Sequence, residues 1–101
     1  MSGLRLTSDA QSDLIEIRKY TVKQWGSIQS KKYLSDLRKT IHLLAKTPTL
    51  GKARPEVGVN VLSFPHVSHV IYYIVYEQHL VVFGILHKRM VPNNHLTERK
   101  L

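Results

Sequence analysis

Three consecutive side chains at the end of an apolar run carry the groups best suited to chemistry in this sequence. They are His87, Lys88 and Arg89, and they follow the run formed by residues 80–86. An imidazole titrates near neutral pH and can act as an acid or a base, while the two cations can bind phosphate or carboxylate groups. This cluster therefore fits two kinds of chemistry, namely cleavage of a phosphodiester or binding to an anionic or protein target.

The strand pattern leaves three interpretations of His87 open. In an alternating strand Ile85 and His87 share one face, and Val81 and Phe83 lie on that same face. This placement favours a structural histidine at the rim of the core. A catalytic imidazole and a contact with a protein target are the other two interpretations.

His66 and His69 are the other histidines that resemble a functional pair. Residues three apart on an extended strand face opposite sides, and the sequence offers no third ligand, so we predict no metal site. His69 stands beside Ser68 at the start of a strand. Its imidazole is therefore predicted to be structural and to fix backbone groups of the turn.

Two apolar runs must position the cluster at His87. Residues 70–76 and 80–86 are rich in β-branched and aromatic side chains, and only Glu77-Gln78-His79 separates them. This pattern predicts an antiparallel hairpin of two buried strands. Residues 4–6 and 59–64 are predicted to form two further strands.

Two amphipathic patterns lie between the first two predicted strands. Thr7-Ser8-Asp9 with Gln11 resembles a capping box at the start of a first helix, and Gly26 ends that helix. Ser27 can cap a second helix, which Pro48 stops. The apolar stripes are Ala10, Leu14, Ile17 and Thr21 in the first helix and Leu34, Leu37, Ile41 and Leu44 in the second.

The order of elements is therefore β-α-α-β-β-β. It predicts a two-layer α+β fold in which a helical hairpin packs on one face of an antiparallel sheet. Residues 48–60 contain two prolines and two glycines and are predicted to form a loop. Residues 91–101 are polar and are predicted to form a flexible C-terminal tail of a single domain that spans residues 1–101.

Composition and charge restrict the function further. The chain has 101 residues and no cysteine, which excludes disulfides and thiolate nucleophiles and fits a reducing cytoplasm. Its net charge of +8 favours polyanionic partners such as nucleic acid or an acidic protein segment. No apolar run approaches the roughly 20 residues of a membrane span. We therefore expect a cytoplasmic protein without a membrane partner.

Several short motifs occur in an order and spacing that can be compared with a known family. They are Leu6-Thr7, Ala10, Asp13-Leu14, Ile17 and Tyr20-Thr21, then Trp25-Gly26, Gln29 and Tyr33, then Leu44-Ala45, Pro48, Gly51 and Arg54, and finally residues 68–73 and 85–89. Together they resemble the RelE/ParE superfamily of bacterial type II toxins and favour its ParE branch. One departure is Leu62-Ser63, where the family often has a basic pair ahead of the phenylalanine.

This resemblance implies a growth-inhibiting toxin that binds DNA gyrase and stabilises the cleaved gyrase–DNA complex without catalysis of its own and without a cofactor. A ParD-like antitoxin would neutralise it through an acidic segment. That antitoxin would carry a dimeric DNA-binding domain, so operator DNA would be a partner only through it. Two alternatives stay open, namely a RelE-like ribosome-dependent mRNA interferase that uses His87 and Arg89, and a degenerate toxin that retains only antitoxin binding.

The resemblance also assigns residues to the two expected partners. His87, Lys88 and Arg89 are predicted to contact the target. The groove between the helical hairpin and the sheet is predicted to hold the antitoxin segment. Its floor or supporting layer is predicted to contain Leu14, Tyr20, Leu37 and Ile41.

Overall fold

The computed structural model describes residues 3–101 and has a helical hairpin packed on one face of a five-stranded sheet. The predicted two-layer α+β fold is confirmed. The strand order across the sheet is β1-β5-β4-β3-β2. The elements are β1 (Gly3–Leu6), α1 (Ser8–Trp25), α2 (Ser27–Lys46), β2 (Lys52–Ala53), β3 (Leu62–His66), β4 (His69–Tyr76), β5 (His79–His87) and α3 (Asn93–Leu96).

The sheet is mixed rather than fully antiparallel, because β1 runs parallel to β5. Gly3 is paired with His79 and Leu6 with Val82, and the amide of Thr7 then donates to the carbonyl of Val82 at 3.0 Å. The other strand pairs are antiparallel. Alternation of apolar residues indicates which face of a strand is buried but not which strand lies beside it, so the position of β1 could not be read from its pattern.

Helix α1 begins one residue earlier than the predicted capping box suggests. Thr7 is the N-cap, and its hydroxyl oxygen accepts a hydrogen bond from the amide of Ala10 at 3.2 Å. The side chain of Gln11 does not complete a capping box but donates to the carbonyl of Leu6 at 3.2 Å. The predicted apolar stripe of this helix is buried.

Gly26 alone separates the two long helices. Its φ of 87° lies in a region that other residues rarely adopt, which allows the chain to reverse there. Gly26 is also the N-cap of α2, so the predicted cap, Ser27, is instead the first helical residue. The hydroxyls of Thr21 and Ser30 are hydrogen-bonded at 2.6 Å and connect the two helices through buried side chains.

The segment after α2 is more ordered than the predicted loop. A short 3-10 turn at Pro48–Leu50 leads into β2, which pairs with Leu62 and Ser63 of β3. The hydroxyl of Tyr73 donates to the carbonyl of Pro48 at 2.6 Å and holds this segment against the sheet. Strand β3 begins at Leu62 rather than Val59, because Asn60 adopts a φ of 63° in the preceding turn.

The predicted hairpin of β4 and β5 is present, with a two-residue loop at Glu77 and Gln78. Both loop residues have positive φ angles, 47° and 65°, as in a type I′ turn. The register shifts at one place, since Tyr73 is opposite Val82 whereas Tyr72 is opposite Gly84. Phe83 is therefore the extra residue of a β-bulge, and the alternation of faces changes there.

Apolar side chains form a cluster on each face of the sheet. The larger cluster lies between the helices and the sheet and includes Leu80, Val82 and Ile85. The second lies on the opposite face and includes Phe83 and Leu86. No helix within residues 3–101 is long and apolar enough to cross a membrane.

Candidate functional site

The three predicted site residues lie where β5 ends. His87 is the last residue of the strand and is half-buried, whereas Lys88 and Arg89 are exposed in the following turn. Two backbone amides fix the turn. The amide of Lys88 donates to the carbonyl of Ser68 at 2.9 Å, and the amide of Arg89 donates to Nδ1 of His87 at 3.1 Å. The two cations are therefore presented to solvent from a rigid end of the sheet.

The predicted face of His87 is wrong, and the bulge at Phe83 is the reason. Ile85 lies in the cluster under the helices, whereas Phe83 lies in the cluster on the other face. Because His87 shares a face with Ile85, it lies on the helix side of the sheet and not beside Phe83. Simple alternation fails here because one residue has been inserted into the strand.

Three histidines form a row across the end of the sheet on its helix side. His66 is paired with His69, and His69 is paired with His87, on three neighbouring strands. The ring centroids of His69 and His87 are 5.5 Å apart, with the rings nearly perpendicular at 81°. The prediction that His66 and His69 face opposite sides is wrong, because Val67 and Ser68 form a tight turn that places them opposite each other on paired strands.

Tyr33 of α2 joins this histidine row to the helices. Its hydroxyl is hydrogen-bonded to Nδ1 of His69 at 2.7 Å and accepts the amide of Ser68 at 3.3 Å. His66 is held separately, since its Nδ1 is hydrogen-bonded to the hydroxyl of Thr40 at 2.9 Å. The backbone of the turn is thus fixed by Tyr33, to which His69 is bonded.

Burial favours the neutral form of two histidines of the row, His69 and His66. Burial, together with the smaller effect of the nearby imidazoles of His87 and His66, lowers the pKa of His69 to about 4. Burial also lowers the pKa of His66, an effect that the carboxylate of Asp36 partly opposes. Both side chains therefore act as neutral hydrogen-bonding groups near pH 7, which suits a structural role. Within residues 3–101, no group of three or more metal-ligating side chains is arranged to hold an ion.

A groove of about 520 Å³ opens beside His87, between α1 and the segment that follows β5. Tyr20 and Glu16 of α1 form one wall, and Ile85 and His87 form the floor at the end of β5. Arg89 lines it next to His87. The groove therefore combines apolar and aromatic surface with a cation, a combination suited to a peptide of mixed character.

The C-terminal segment forms the other wall of this groove, although residues 91–101 were predicted to be a flexible tail. Its short helix α3 buries Leu96 against the sheet, where only the hydrogen of Gly84 leaves space for it. Arg99 then binds the carboxylate of Asp13 through both terminal nitrogens, at 2.5 and 3.0 Å. Gly84 within an apolar strand was the sequence signal for this packing, since such a glycine often marks close approach of another segment.

The four residues predicted to hold the antitoxin do not form one surface. Leu14, Leu37 and Ile41 are buried in the core between the helices and the sheet, so they cannot contact a partner directly. The space between these two layers, which was predicted to be a groove, is filled by packed side chains. Tyr20 is 54% exposed and lines the groove beside His87, where it is available for contact.

At Leu62-Ser63, where the family often has a basic pair, Arg54 of the loop before β3 supplies a cation close to Ser63. The hydroxyl of Ser63 accepts a hydrogen bond from Nη1 of Arg54 at 3.1 Å, and the guanidinium lies 5.5 Å from the ring centre of Tyr72. A hydrogen bond with Glu56 raises the pKa of Arg54 above its usual value. On the sheet face opposite the helices, the guanidinium of Arg54 is therefore packed over an aromatic ring and paired with the carboxylate of Glu56.

Comparison with known proteins agrees with this architecture. The family model of the ParE toxin of the type II toxin-antitoxin system parDE matches residues 4–92. Toxin ParE1 of Caulobacter vibrioides is 29% identical over 96 residues, which cover 95% of this chain and 99% of that protein. Toxin ParE of Escherichia coli is 31% identical over 101 residues, with 98% and 97% of the two chains covered.

A solved structure has the same fold. It is described as the chromosomal ParDE TA system from P. aeruginosa, and the superposition has a TM-score of 0.76 at 20% identity, covering 86% of this chain and 96% of that one. The match to the family model spans nearly all of the described chain, from β1 to the start of the C-terminal segment. This protein therefore belongs to the ParE toxin family of type II toxin-antitoxin systems.

Proposed function

We propose that this toxin inhibits DNA gyrase by binding it and stabilising the cleaved gyrase–DNA complex, and that a ParD-like antitoxin neutralises it. Membership of the ParE family supports the class of target. The observation that carries the proposal is the pair of exposed cations, Lys88 and Arg89, at the end of β5. Neither side chain forms an ion pair with another residue in the described range 3–101, so both charges are available to an anionic partner.

The surroundings of His87 favour binding over catalysis. Its ring packs against His69, whose pKa is about 4, and its Nδ1 accepts the amide of Arg89. The carboxylate of Asp13, which also lines the groove, is bound by Arg99. A ribonuclease that uses general acid–base catalysis needs a second group to donate or accept the other proton. His69 is not suited to that task because it is held neutral, and Asp13 is not free for it because Arg99 binds both of its oxygens.

The toxin test is a gyrase supercoiling reaction with the purified protein, in which cleaved DNA is counted after denaturation of the enzyme. We expect ATP-dependent accumulation of cleaved DNA. Reversal of both charges in Lys88→Glu/Arg89→Glu should raise the inhibitory concentration by about tenfold or more, because two attractive contacts become repulsive. The matched control is Lys31→Glu/Lys32→Glu, which makes the same charge change at exposed positions of α2.

The outcomes separate the candidate functions. Equal loss of inhibition in both charge-reversed variants would mean that net charge and not the β5 turn determines binding. Uninhibited gyrase, with growth inhibition still present in cells, would support ribosome-dependent mRNA cleavage with His87 and Arg89 as its residues. Absence of toxicity, with antitoxin binding retained, would identify a degenerate toxin.

A further inference from the structure

Val67 has a backbone conformation that is unfavourable for its residue type. It is the first residue of the two-residue loop between β3 and β4, and its φ is 52°. The second loop residue, Ser68, does not have a positive φ, so the loop follows the pattern of a type II′ turn, which prefers glycine at its first position. A β-branched residue at positive φ is a genuine outlier. Valine therefore stands at a position where glycine would relieve backbone strain.

The contacts of Val67 do not compensate for this strain. Its side chain is 73% exposed, so it contributes little to the core. The loop is held from outside, because the amide of Ser68 donates to the hydroxyl of Tyr33 at 3.3 Å and its carbonyl accepts the amide of Lys88 at 2.9 Å. Strained residues persist where the surrounding structure imposes their conformation, and they cluster at functional sites. Val67 is thus presented to solvent on a fixed loop.

The loop is connected to exposed side chains on both sides. On one side, the ring of Tyr33 packs edge-on against Trp25, with the ring centres 5.6 Å apart, and Trp25 is 47% exposed at the end of α1. On the other side, the bond from Lys88 joins the loop to the turn that carries Lys88 and Arg89. These contacts place four exposed residues at one end of the molecule. We call them the tip surface, namely Trp25, Val67, Lys88 and Arg89.

The composition of the tip surface fits a protein partner better than nucleic acid. It combines a valine and an indole with two cations on one side. Protein interfaces have an apolar centre and a polar rim, and tryptophan and arginine are enriched among the residues that contribute most to binding. A surface that binds DNA neutralises many phosphates with lysine and arginine. A second copy of this chain is disfavoured by repulsion, since each chain has a net charge of +8.

We propose that Val67 and Trp25 are apolar anchors that extend the target surface beyond Lys88 and Arg89 and dock into a recess of the gyrase protein, not onto its DNA; this inference rests on the proposed function. The recess would be apolar, because it receives a valine and an indole, and carboxylates at its border would face the two cations. The fixed loop lowers the entropic cost of binding, because Val67 has little conformational freedom left to lose. The strained valine is then explained by contact with the target and not by the stability of the toxin.

The first test compares Val67→Gly with Val59→Gly, which removes the same side chain at another exposed position. Glycine relieves the positive φ at position 67, so this variant should resist urea at least as well as the unaltered toxin. Its dissociation constant for purified gyrase without DNA should nevertheless rise about tenfold, because an apolar contact near the centre of the interface is lost. Val59→Gly should bind gyrase as the unaltered toxin does.

The outcomes separate this inference from the proposed function. A stable Val67→Gly variant that binds gyrase as tightly as the unaltered toxin would overturn the inference and leave the proposed inhibition intact. Weaker binding to the antitoxin alone would assign Val67 to that partner and would also overturn it. The same holds if the toxin binds a DNA duplex alone and Val67→Gly weakens that binding equally. An unaltered toxin that neither binds nor inhibits gyrase would contradict the proposed function itself.

Hydroxyl-radical footprinting of the full-length toxin with intact gyrase tests Trp25 without a substitution. Trp25 is the single tryptophan of the chain, so oxidation of its peptide, measured by mass spectrometry, reports on one indole. We expect this oxidation to fall about threefold or more in the complex, because residues that contribute strongly to binding are desolvated. Tyr76, which is 59% exposed at the other end of β4, should be oxidised equally in both states. Unchanged oxidation of Trp25 in a complex that still accumulates cleaved DNA would overturn the inference.

Discussion

Asp13 of α1 and Arg99 near the end of the chain form a two-bond ion pair across 86 positions of sequence. The two contacts measure 2.5 and 3.0 Å, and the side chains are only 15% and 16% exposed. Each partner also bonds to the backbone of β5 at the bulge, since Asp13 accepts the amide of Ile85 and Arg99 donates to the carbonyl of Phe83 at 3.1 Å. The pair therefore joins helix, sheet and C-terminal segment at one point.

Removal of either charge from this pair should destabilise the protein. We expect Arg99→Gln to lower the free energy of unfolding by about 2 kcal/mol, because the carboxylate of Asp13 loses its partner while remaining largely buried. Asp13→Asn should have a similar effect. The double variant should cost less than the sum of the two, since the second change removes a group that is already unpaired. Chemical denaturation of the four proteins measures these differences.

The control for this prediction is the exposed contact between Arg5 and the carbonyl of Leu101, which also connects the C-terminal end to the body of the protein. Arg5→Gln should change stability by less than about 0.5 kcal/mol because its side chain is solvated. Equal effects of Arg5→Gln and Arg99→Gln on the free energy of unfolding would show that the ion pair with Asp13 stabilises the protein no more than the exposed contact of Arg5 does.

Gly84 and Leu96 should also behave as a coupled pair. A Cβ atom at position 84 would lie 2.5 Å from Cδ2 of Leu96, so Gly84→Ala should displace α3 at a cost of about 1–3 kcal/mol. Leu96→Ala should cost about 2 kcal/mol by exposing the apolar cluster beneath it. In the Leu96→Ala background the alanine at 84 has space, and its cost should fall below about 1 kcal/mol. Additive costs in urea unfolding would contradict this packing.

Much of the fold could be read from periodic patterns. The stripes of both long helices and the two apolar runs of β4 and β5 have repeats that hold over many residues, and their burial followed directly. The features that the sequence did not reveal each depend on a single residue and not on a repeated pattern. The bulge inserts one residue, Phe83, into an otherwise regular strand and changes the face of His87. A periodic pattern contains no signal for such an insertion.

The candidate site is formed mainly by contacts between residues that are distant in sequence. The groove exists because the C-terminal segment returns to α1, and that return depends on single residues such as Gly84 and Arg99. A polar segment with one leucine cannot be distinguished from a flexible tail by its sequence, because the residues against which the leucine packs are unknown. The residues at the end of β5 were identifiable by type and position, whereas the buried state of Leu37 and Ile41 was the ordinary outcome for an apolar helix stripe.

The loop between β4 and β5 offers a substitution that should stabilise the protein. Glu77 and Gln78 both adopt positive φ angles, which cost an ordinary residue about 1 kcal/mol or more. Replacement by Asn-Gly, the preferred pair for this turn, should raise the free energy of unfolding by about 1 kcal/mol. The proposed inhibition of gyrase should be unchanged, because the loop lies at the opposite end of β5 from Lys88. A decrease in the midpoint of thermal unfolding would contradict the turn geometry.

The histidine row should make stability dependent on pH. The pKa of His69 is about 4 in the folded protein, below its ordinary value of 6.5, because burial and the neighbouring His87 and His66 disfavour its charged form. As the pH falls, the imidazole of His69 is protonated first in the unfolded chain. Its contribution to the free energy of unfolding is therefore complete above pH 6.5, declines below that pH and is lost by about pH 4. The loss corresponds to roughly 3 kcal/mol at most. The lowered pKa of His66 adds to the same trend.

Urea unfolding between pH 7 and pH 4 measures this dependence, with His69→Gln as the test variant and the exposed His42→Gln as its matched control. We expect the His69 variant to be less stable at pH 7, because the hydroxyl of Tyr33 loses its imidazole partner, yet to lose less stability on acidification. The His42 variant should retain the full decline. The same decline in both variants would show that acid sensitivity arises elsewhere, since the two substitutions remove one histidine each and differ in burial.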